Sequence, residues 1–188
     1  MRDIDMNTWA RREHFAVFSR LDNPHFSLCA TVDITNLLKQ VRARQWSIFR
    51  TFLYIATHSA NAIPEFRYRI RGEQVVVHDT VRPSFTVMGK NDLVGPAADD
   101  LHDEPGRDDL LFITCLPWVA FTSFVLPVAT RQPDSVPRIA WGKFIESGGK
   151  VTLPVAVQVH HAVVDGLHVG QFYARCQGMC NSPELLGA

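Results

Sequence analysis

The sequence predicts an α+β protein, a mixed β-sheet packed with helices. Three observations predict it: helical periodicity is concentrated early in the chain, most of the alternating apolar runs come later, and one amphipathic segment closes the sequence. At 188 residues, 46% hydrophobic and 20% charged, the chain suits a single domain, residues 1–188, with a real core.

The elements follow in order. "TWARREHFAVFSRL" predicts a first helix capped by Asn7 or Thr8, with Trp9, Phe15 and Phe18 along one side and an end near Asp22-Asn23-Pro24. "HFSLCATVDI" predicts a strand, and the run from Asp33 to Phe66 predicts two consecutive helices, the second strongly apolar and stopped before Pro64. Extended runs on either side of Arg71-Gly72 predict a hairpin, and "SFTVM" a further strand. From Gly89 to Asp109 the periodicity fails. Seven acidic residues stand there against Lys90 and Arg107, so 89–109 reads as an acidic surface loop, too polar to bury. An acidic metal site is the sharper alternative, but the spacing follows no ligand pattern. Strands resume at "LLFITCLPWVAFTSFVLPVA", "RIAWGKFIE" and "VTLPVAVQVH", and "LHVGQFYARCQGMC" closes the chain as an amphipathic helix.

Charge and cysteine content exclude several classes. Lys plus Arg equals Asp plus Glu at 19 each, so no excess positive charge draws nucleic acid or an anionic membrane surface. The N-terminus has no apolar core of signal-peptide length, no apolar run elsewhere reaches the length of a bilayer span, and the expectation is a soluble, cytoplasmic protein. Cys176 and Cys180 lie one helical turn apart, a spacing that could hold a metal, but no second pair completes a site. They read as buried free thiols.

The stretch "QVHHAVVDGLHV", residues 158–169, carries the chemistry. Under strand alternation Val155, Val157 and Val159 share a face with His161, while Ala156, Gln158 and His160 take the other. Asp165-Gly166 reads as the turn into the closing helix. A histidine at a strand end has a rigid backbone and a side chain that reaches a cleft, and its unperturbed pKa near neutrality suits a general base. A hydrogen-bonded core histidine is the plainer alternative.

"WARREHF", "DIT", "FTV", "LPWVAFTSF" and "LPVAVQVHHAVVDGLHVGQF", in this order along nearly the whole chain, resemble the chloramphenicol acetyltransferase family. Dihydrolipoyl acyltransferases and peptide-synthetase condensation domains carry related HHxxxDG signatures, but the N-terminal "RREHF" and the chain length set them apart. The resemblance implies a homotrimer with each active site between subunits. It also implies acetyl transfer from acetyl-CoA, as co-substrate and without a metal, to a hydroxyl of chloramphenicol or a similar small acceptor, and a role in antibiotic resistance.

By the same resemblance, His161 is the general base, acting without an acyl-enzyme, and Thr114 stands where a serine donates to the oxyanion. Asp165, paired with Arg11 of the first helix, supports the site. His160, the neighbour pointing the other way, reads as structural. Trp118, Lys143 and Phe144 match positions near the coenzyme, and Phe18, Phe26, Phe124, Leu126 and Val128 match positions that line the acceptor pocket, a wall that would equally serve as core. Three departures from the family pattern bear on drug acetylation: one on recognition of chloramphenicol, one on turnover and one on the acceptor pocket. Phe18 replaces a tyrosine whose hydroxyl orients the acceptor, and Ala140 replaces a threonine that organises water. Between "SFTVM" and "FITCLPW" the family carries a longer segment with a helix and part of the acceptor pocket. These departures sustain an alternative, a non-catalytic or weakly active trimeric relative that binds CoA or a small hydrophobic ligand. Acyl transfer to a lipoyl group is a third reading, which no carrier-binding segment supports.

Overall fold

The computed structural model describes residues 1–88, 94–96, 107–129 and 134–187. In chain order they form β1 (Arg2–Asp3), α1 (Arg12–Phe18), β2 (His25–Asp33), α2 (Thr35–Ala43), α3 (Ile48–Asn61), β3 (Tyr68–Arg71), β4 (Gln74–Val77), β5 (Arg82–Met88), β6 (Val94–Pro96), β7 (Leu110–Leu116), β8 (Arg138–Gly142), β9 (Ile145–Ser147), β10 (Lys150–His160) and α4 (Gly166–Asn181). Short 3-10 turns at Pro64–Arg67 and Pro183–Gly187 complete the described chain.

The main sheet runs β2-β10-β8-β7-β5-β6, with β9 paired to β10 off that path, and β1-β4-β3 form a smaller sheet. Pairing is parallel between β5 and β7 and between β7 and β8, and antiparallel elsewhere, so the sheet is mixed as expected. Helices α2, α3 and α4 cover one face. Leu37, Phe52, Ile55, Val169 and Phe172 meet Val155, Val157 and Val159 in one core. The predicted alternation along β10 is present, but both faces are buried: Ala156, Gln158 and His160 on the second face are each 3% exposed.

The cover over that second face corrects the sequence reading. Only Leu110–Leu116 of the predicted long strand pairs as a strand; residues 117–129 form an extended strap. Phe124, Leu126 and Val128 are half-buried and alternate with exposed Val125, Pro127 and Ala129, the period that invites the strand assignment. Side chains supply the hydrogen bonds a neighbouring strand would give. Ser27 Oγ donates to the Phe124 carbonyl at 2.8 Å. The Gln158 amide brackets Leu126, accepting its N–H at 2.6 Å and donating to its carbonyl at 3.0 Å.

Two further corrections concern ends of elements. Helix α1 begins at Arg12, with neither Asn7 nor Thr8 as its cap. Asp5 instead accepts the Asn7 N–H at 3.0 Å and the Thr8 hydroxyl at 3.1 Å, closing a separate turn before the helix. Of the 89–109 stretch, Val94–Pro96 pairs with β5. At the far end Asp108 and Asp109 are half-buried and held in ion pairs: Asp108 meets Arg71 and His78 at 2.8 Å, and Asp109 meets Arg107 at 2.9 Å. The remaining acidic residues lie outside the described residues. No group of three metal-ligating side chains occurs among the described residues, and no helix there is long and apolar enough to cross a membrane. Cys176 and Cys180 are free and buried, and burial pushes each thiol up to about 12.

Candidate active site

β10 ends at His160, and the chain turns at once. The His161 N–H donates to the Pro24 carbonyl at 2.8 Å, and the Val163 and Val164 N–H groups both donate to the His160 carbonyl at 3.1 Å. The turn lifts His161 out of the strand while its backbone stays fixed. Its ring lies flat against Phe18, with centroids 3.9 Å apart and planes 10° apart, and Phe26 packs obliquely at 4.8 Å. Nδ1 is buried and makes no hydrogen bond among the described residues, although Asp165 Oδ1 stands 3.3 Å away, while 35% of the side chain is exposed. The open edge of the ring is therefore the one bearing Nε2. A carboxylate beside Nδ1 favours the tautomer with the proton on that nitrogen, which leaves the Nε2 lone pair outward.

Asp165 is held on its other side by Arg11. Both guanidinium Nη atoms donate to its carboxylate, Nη2 to Oδ1 at 3.1 Å and Nη1 to Oδ2. Those hydrogen bonds hold the Asp165 carboxyl below the usual carboxylate range. The bracing continues into α4, where His168 Nδ1 accepts the Asp165 N–H at 2.9 Å. The other ring nitrogen, Nε2, therefore carries the His168 proton, and it lies 3.5 Å from Glu65 Oε1. Arg11, Asp165, His161, Phe18 and Phe26 thus form one cluster. His168 and Glu65 belong to it and were missed in the sequence; the signal was a histidine three residues after Asp165, in reach of the helix start.

His160 points to the opposite face, buried, with Nδ1 accepting the Ala162 N–H at 3.3 Å. Burial, reinforced by His25 whose ring stands edge-on at 5.1 Å, drives His160 down to about 4. His25 is lowered too, first by burial and then by Arg138. A histidine neutral in the fold and free to protonate when unfolded stabilises the fold fully above its unfolded pKa. That stability is lost as pH falls from about 6.5 towards about 4, and His160 accounts for about 3 kcal/mol of it at most. The melting temperature is therefore expected to fall between pH 7 and pH 5. His160→Asn, which keeps an acceptor for the Ala162 N–H, should flatten that slope; an unaltered slope by calorimetry would remove His160 as its source.

The other predicted residues lie elsewhere in the chain. Thr114 on β7 is level with Ala140 on β8 and Ala156 on β10. His161 lies five residues beyond Ala156 and two strands across, roughly 17 Å along the strands and about 10 Å sideways. One chain does not bring Thr114 and His161 together. Thr114 Oγ1 is 3.3 Å from Thr86 Oγ1, and both line a cavity of about 320 Å³ with Leu126. Phe124 stacks on Phe121 at 5.2 Å, and Val128 lies further along the strap. Ala140 is fully buried between Thr114 and Ala156.

Trp118, Lys143 and Phe144 do come together, around a second, largely apolar cavity of about 560 Å³ whose floor is Phe49, Phe52 and Trp141. Sequence reasoning did not single out these last three. The strap is held against the mouth of this cavity at Gly142, where the Lys143 N–H donates to the Val119 carbonyl at 2.8 Å. A Cβ on Gly142 would lie 2.4 Å from that carbonyl oxygen, so the crossing demands glycine. Thr86 lines both cavities, so the Thr114–Thr86 pair stands where they meet.

The sequence model of the chloramphenicol acetyltransferase family matches residues 1–94 and 100–177. The chain belongs to that family. A chloramphenicol acetyltransferase of Proteus mirabilis is 31% identical over 203 aligned positions, covering 95% of this chain and 94% of the relative. Chloramphenicol acetyltransferase 3 of Escherichia coli is 33% identical over 205 positions, covering 95% and 96%. Both alignments are longer than the 188 residues of this chain, so the relatives carry residues that it lacks. A solved chloramphenicol acetyltransferase superposes with a TM-score of 0.82 at 25% identity over 95% of this chain and all of that one. The dihydrolipoamide acetyltransferase of Azotobacter vinelandii has the same fold, with a TM-score of 0.65 at 15% identity over 88% of this chain and 84% of that one. The mixed sheet with its helices is thus the fold of the CoA-dependent acyltransferases, as the family member that the sequence resembles requires.

Proposed function

We propose that the protein transfers an acetyl group from acetyl-CoA to a hydroxyl of chloramphenicol or a similar small acceptor, in a site shared between copies of the chain. The observation that carries this reading is His161, with Nδ1 buried against Asp165 and the Nε2 edge open. In that setting Nε2 takes the acceptor's hydroxyl proton as its oxygen attacks the thioester carbonyl. The Thr114 hydroxyl donates to the oxyanion so formed, and the imidazolium returns the proton to the departing thiolate. No bond to the protein is needed. Arg11 acts through Asp165, which fixes the ring.

The larger cavity suits the coenzyme. Phe49, Phe52, Trp141 and Phe144 offer an apolar wall to a pantetheine arm, and Lys143 offers a point charge to a phosphate. Its contact with the smaller cavity at Thr86 would let thioester and acceptor meet beside Thr114. The separation of Thr114 from His161 within one chain supports a homotrimer in which one copy supplies the base and its neighbour the oxyanion donor.

Release of free CoA thiol from acetyl-CoA, with and without chloramphenicol, tests the reaction. Thr114→Ala and His161→Ala are each expected to be nearly silent alone. Co-expressed, they assemble some interfaces with an intact His161 facing an intact Thr114, and turnover should return. Absence of rescue in a mixed oligomer would remove the shared site.

A further inference from the structure

The smaller cavity holds a charged side chain that the reaction does not use. Arg138 is 7% exposed and lines this cavity together with Ser84, Thr86, Phe112, Thr114 and Leu126. Its guanidinium is spoken for on one side only. Nη1 donates to Asp134 Oδ1 at 3.0 Å and Nη2 to Oδ2 at 2.6 Å, which closes the end-on fork. The second Nη1 proton goes to the Val136 carbonyl at 3.0 Å, and the Phe112 ring lies 5.4 Å from the guanidinium carbon. The side-on pair, Nε–H and the second N–H of Nη2, meets no hydrogen-bond acceptor among the described residues. These two parallel donors stand on a side chain that lines the cavity, where a ligand that enters can take them in place of water.

The geometry of that fork defines what it takes. A side-on guanidinium matches a planar group with two acceptor oxygens. Asp134 already balances the cation, so the match rests on shape and hydrogen bonding more than on net charge. We propose that Arg138 is a specificity-determining residue, selecting hydroxyl acceptors that carry a planar pair of oxygens, a carboxylate or a nitro group, at the end away from the reacting hydroxyl. This rests on the reading of Thr114 as the oxyanion donor, because it is Thr114 that makes this cavity the acceptor's.

Three para-substituted 1-phenylpropane-1,3-diols, differing only in nitro, carboxylate or isopropyl, test the proposal by calorimetric titration of the full-length protein. Isopropyl has a similar size and branching but offers no acceptor. The nitro or the carboxylate diol, or both, should bind about tenfold or more tighter than the isopropyl diol. Whichever of the two shows the gain identifies the source of the oxygens. Arg138→Lys keeps a cation against Asp134 but lacks the fork, and should bring all three to the isopropyl affinity. If its melting temperature shows that it does not fold, the neutral pair Arg138→Gln with Asp134→Asn replaces it, with the same expectation. Equal affinities in the unaltered protein, or a preference that survives in the variant, would overturn the proposal. Thiol release from acetyl-CoA with the same diols reports separately on the reaction. Release without discrimination leaves acetyl transfer standing and removes the role of Arg138, while an Arg138-dependent preference without release does the reverse.

Discussion

His161→Ala is expected to lower kcat by about 10²- to 10⁴-fold, the usual contribution of a positioned general base. The KM for acetyl-CoA should stay nearly constant, because the cavity around Trp118, Lys143 and Phe144 is built from other elements. The fold should survive as well. The turn is held by its backbone, through the His161 N–H on Pro24 and the Val163 and Val164 N–H groups on His160, and alanine keeps all three bonds. The variant loses the ring contact with Phe18, which opens a small gap at a half-exposed position. Thiol release under saturating acetyl-CoA, with a thermal melt on the same sample, checks all of this. Turnover equal to that of the unaltered protein would remove His161 as base and favour the alternative, a scaffold that binds CoA or a small hydrophobic molecule without reacting it.

What the sequence made legible follows from how locally each feature is specified. The alternation of Val155, Val157 and Val159 and the Asp165-Gly166 pair locate the strand end and the helix start without reference to anything distant, and the structure places them there. The strap at 117–129 misled because half-burial over a sheet face produces the same period as strand pairing. The difference lies in Ser27 and Gln158, far away in sequence. Asp108 reads as a solvated loop residue until Arg71 and His78, from another hairpin, are seen to close on it. Arg138 gives no local sign of its half-open fork, which depends on Asp134 taking only one side. Thr86 was nearer to hand. Ser84 and Thr86 alternate with Phe85 and Val87 in "SFTVM", and polar residues on one face of an otherwise apolar strand are a signal of a cavity.

Phe18 shows how a departure from the family pattern changes the site. Where the resemblance places a tyrosine hydroxyl for the acceptor, the phenylalanine ring instead lies flat on the imidazole of His161. The His161 ring is still held flat, and on the proposed reading the pocket loses a polar anchor. Polar recognition then falls to the other wall, where Thr86, Thr114 and Arg138 stand. On the proposed reading, orientation of the base and selection of the acceptor fall to different parts of the fold.

Arg69→Met is expected to destabilise the protein by about 2–5 kcal/mol, for a reason that reaches Thr114. Arg69 is 1% exposed, and its hydrogen bonds among the described residues reach no carboxylate. Its guanidinium donates to four backbone carbonyls: Phe66 and Tyr68 on its own side, Asp108 and Leu110 across the gap. Burial lowers its pKa to about 10, against the pull of Asp108, Asp134 and Asp109, so at neutral pH the cation is present and its burial carries a desolvation cost. Methionine would recover that cost. It would also strand the carbonyls, each worth about 1–3 kcal/mol when buried without a donor, and the second effect wins because four acceptors share one side chain. Arg69→Lys should be nearly as damaging, since a single ammonium cannot span the Phe66–Tyr68 pair and the Asp108–Leu110 pair together. Leu110 begins β7, the strand that carries Thr114, so loosening here should free Thr114 before the helical core melts. Urea unfolding reads the stability, and hydrogen exchange at the β7 amides reads the local effect. Protection of β7 unchanged in a destabilised Arg69→Met would mean that the loss lies in the small β1-β4-β3 sheet rather than in the strand that bears Thr114.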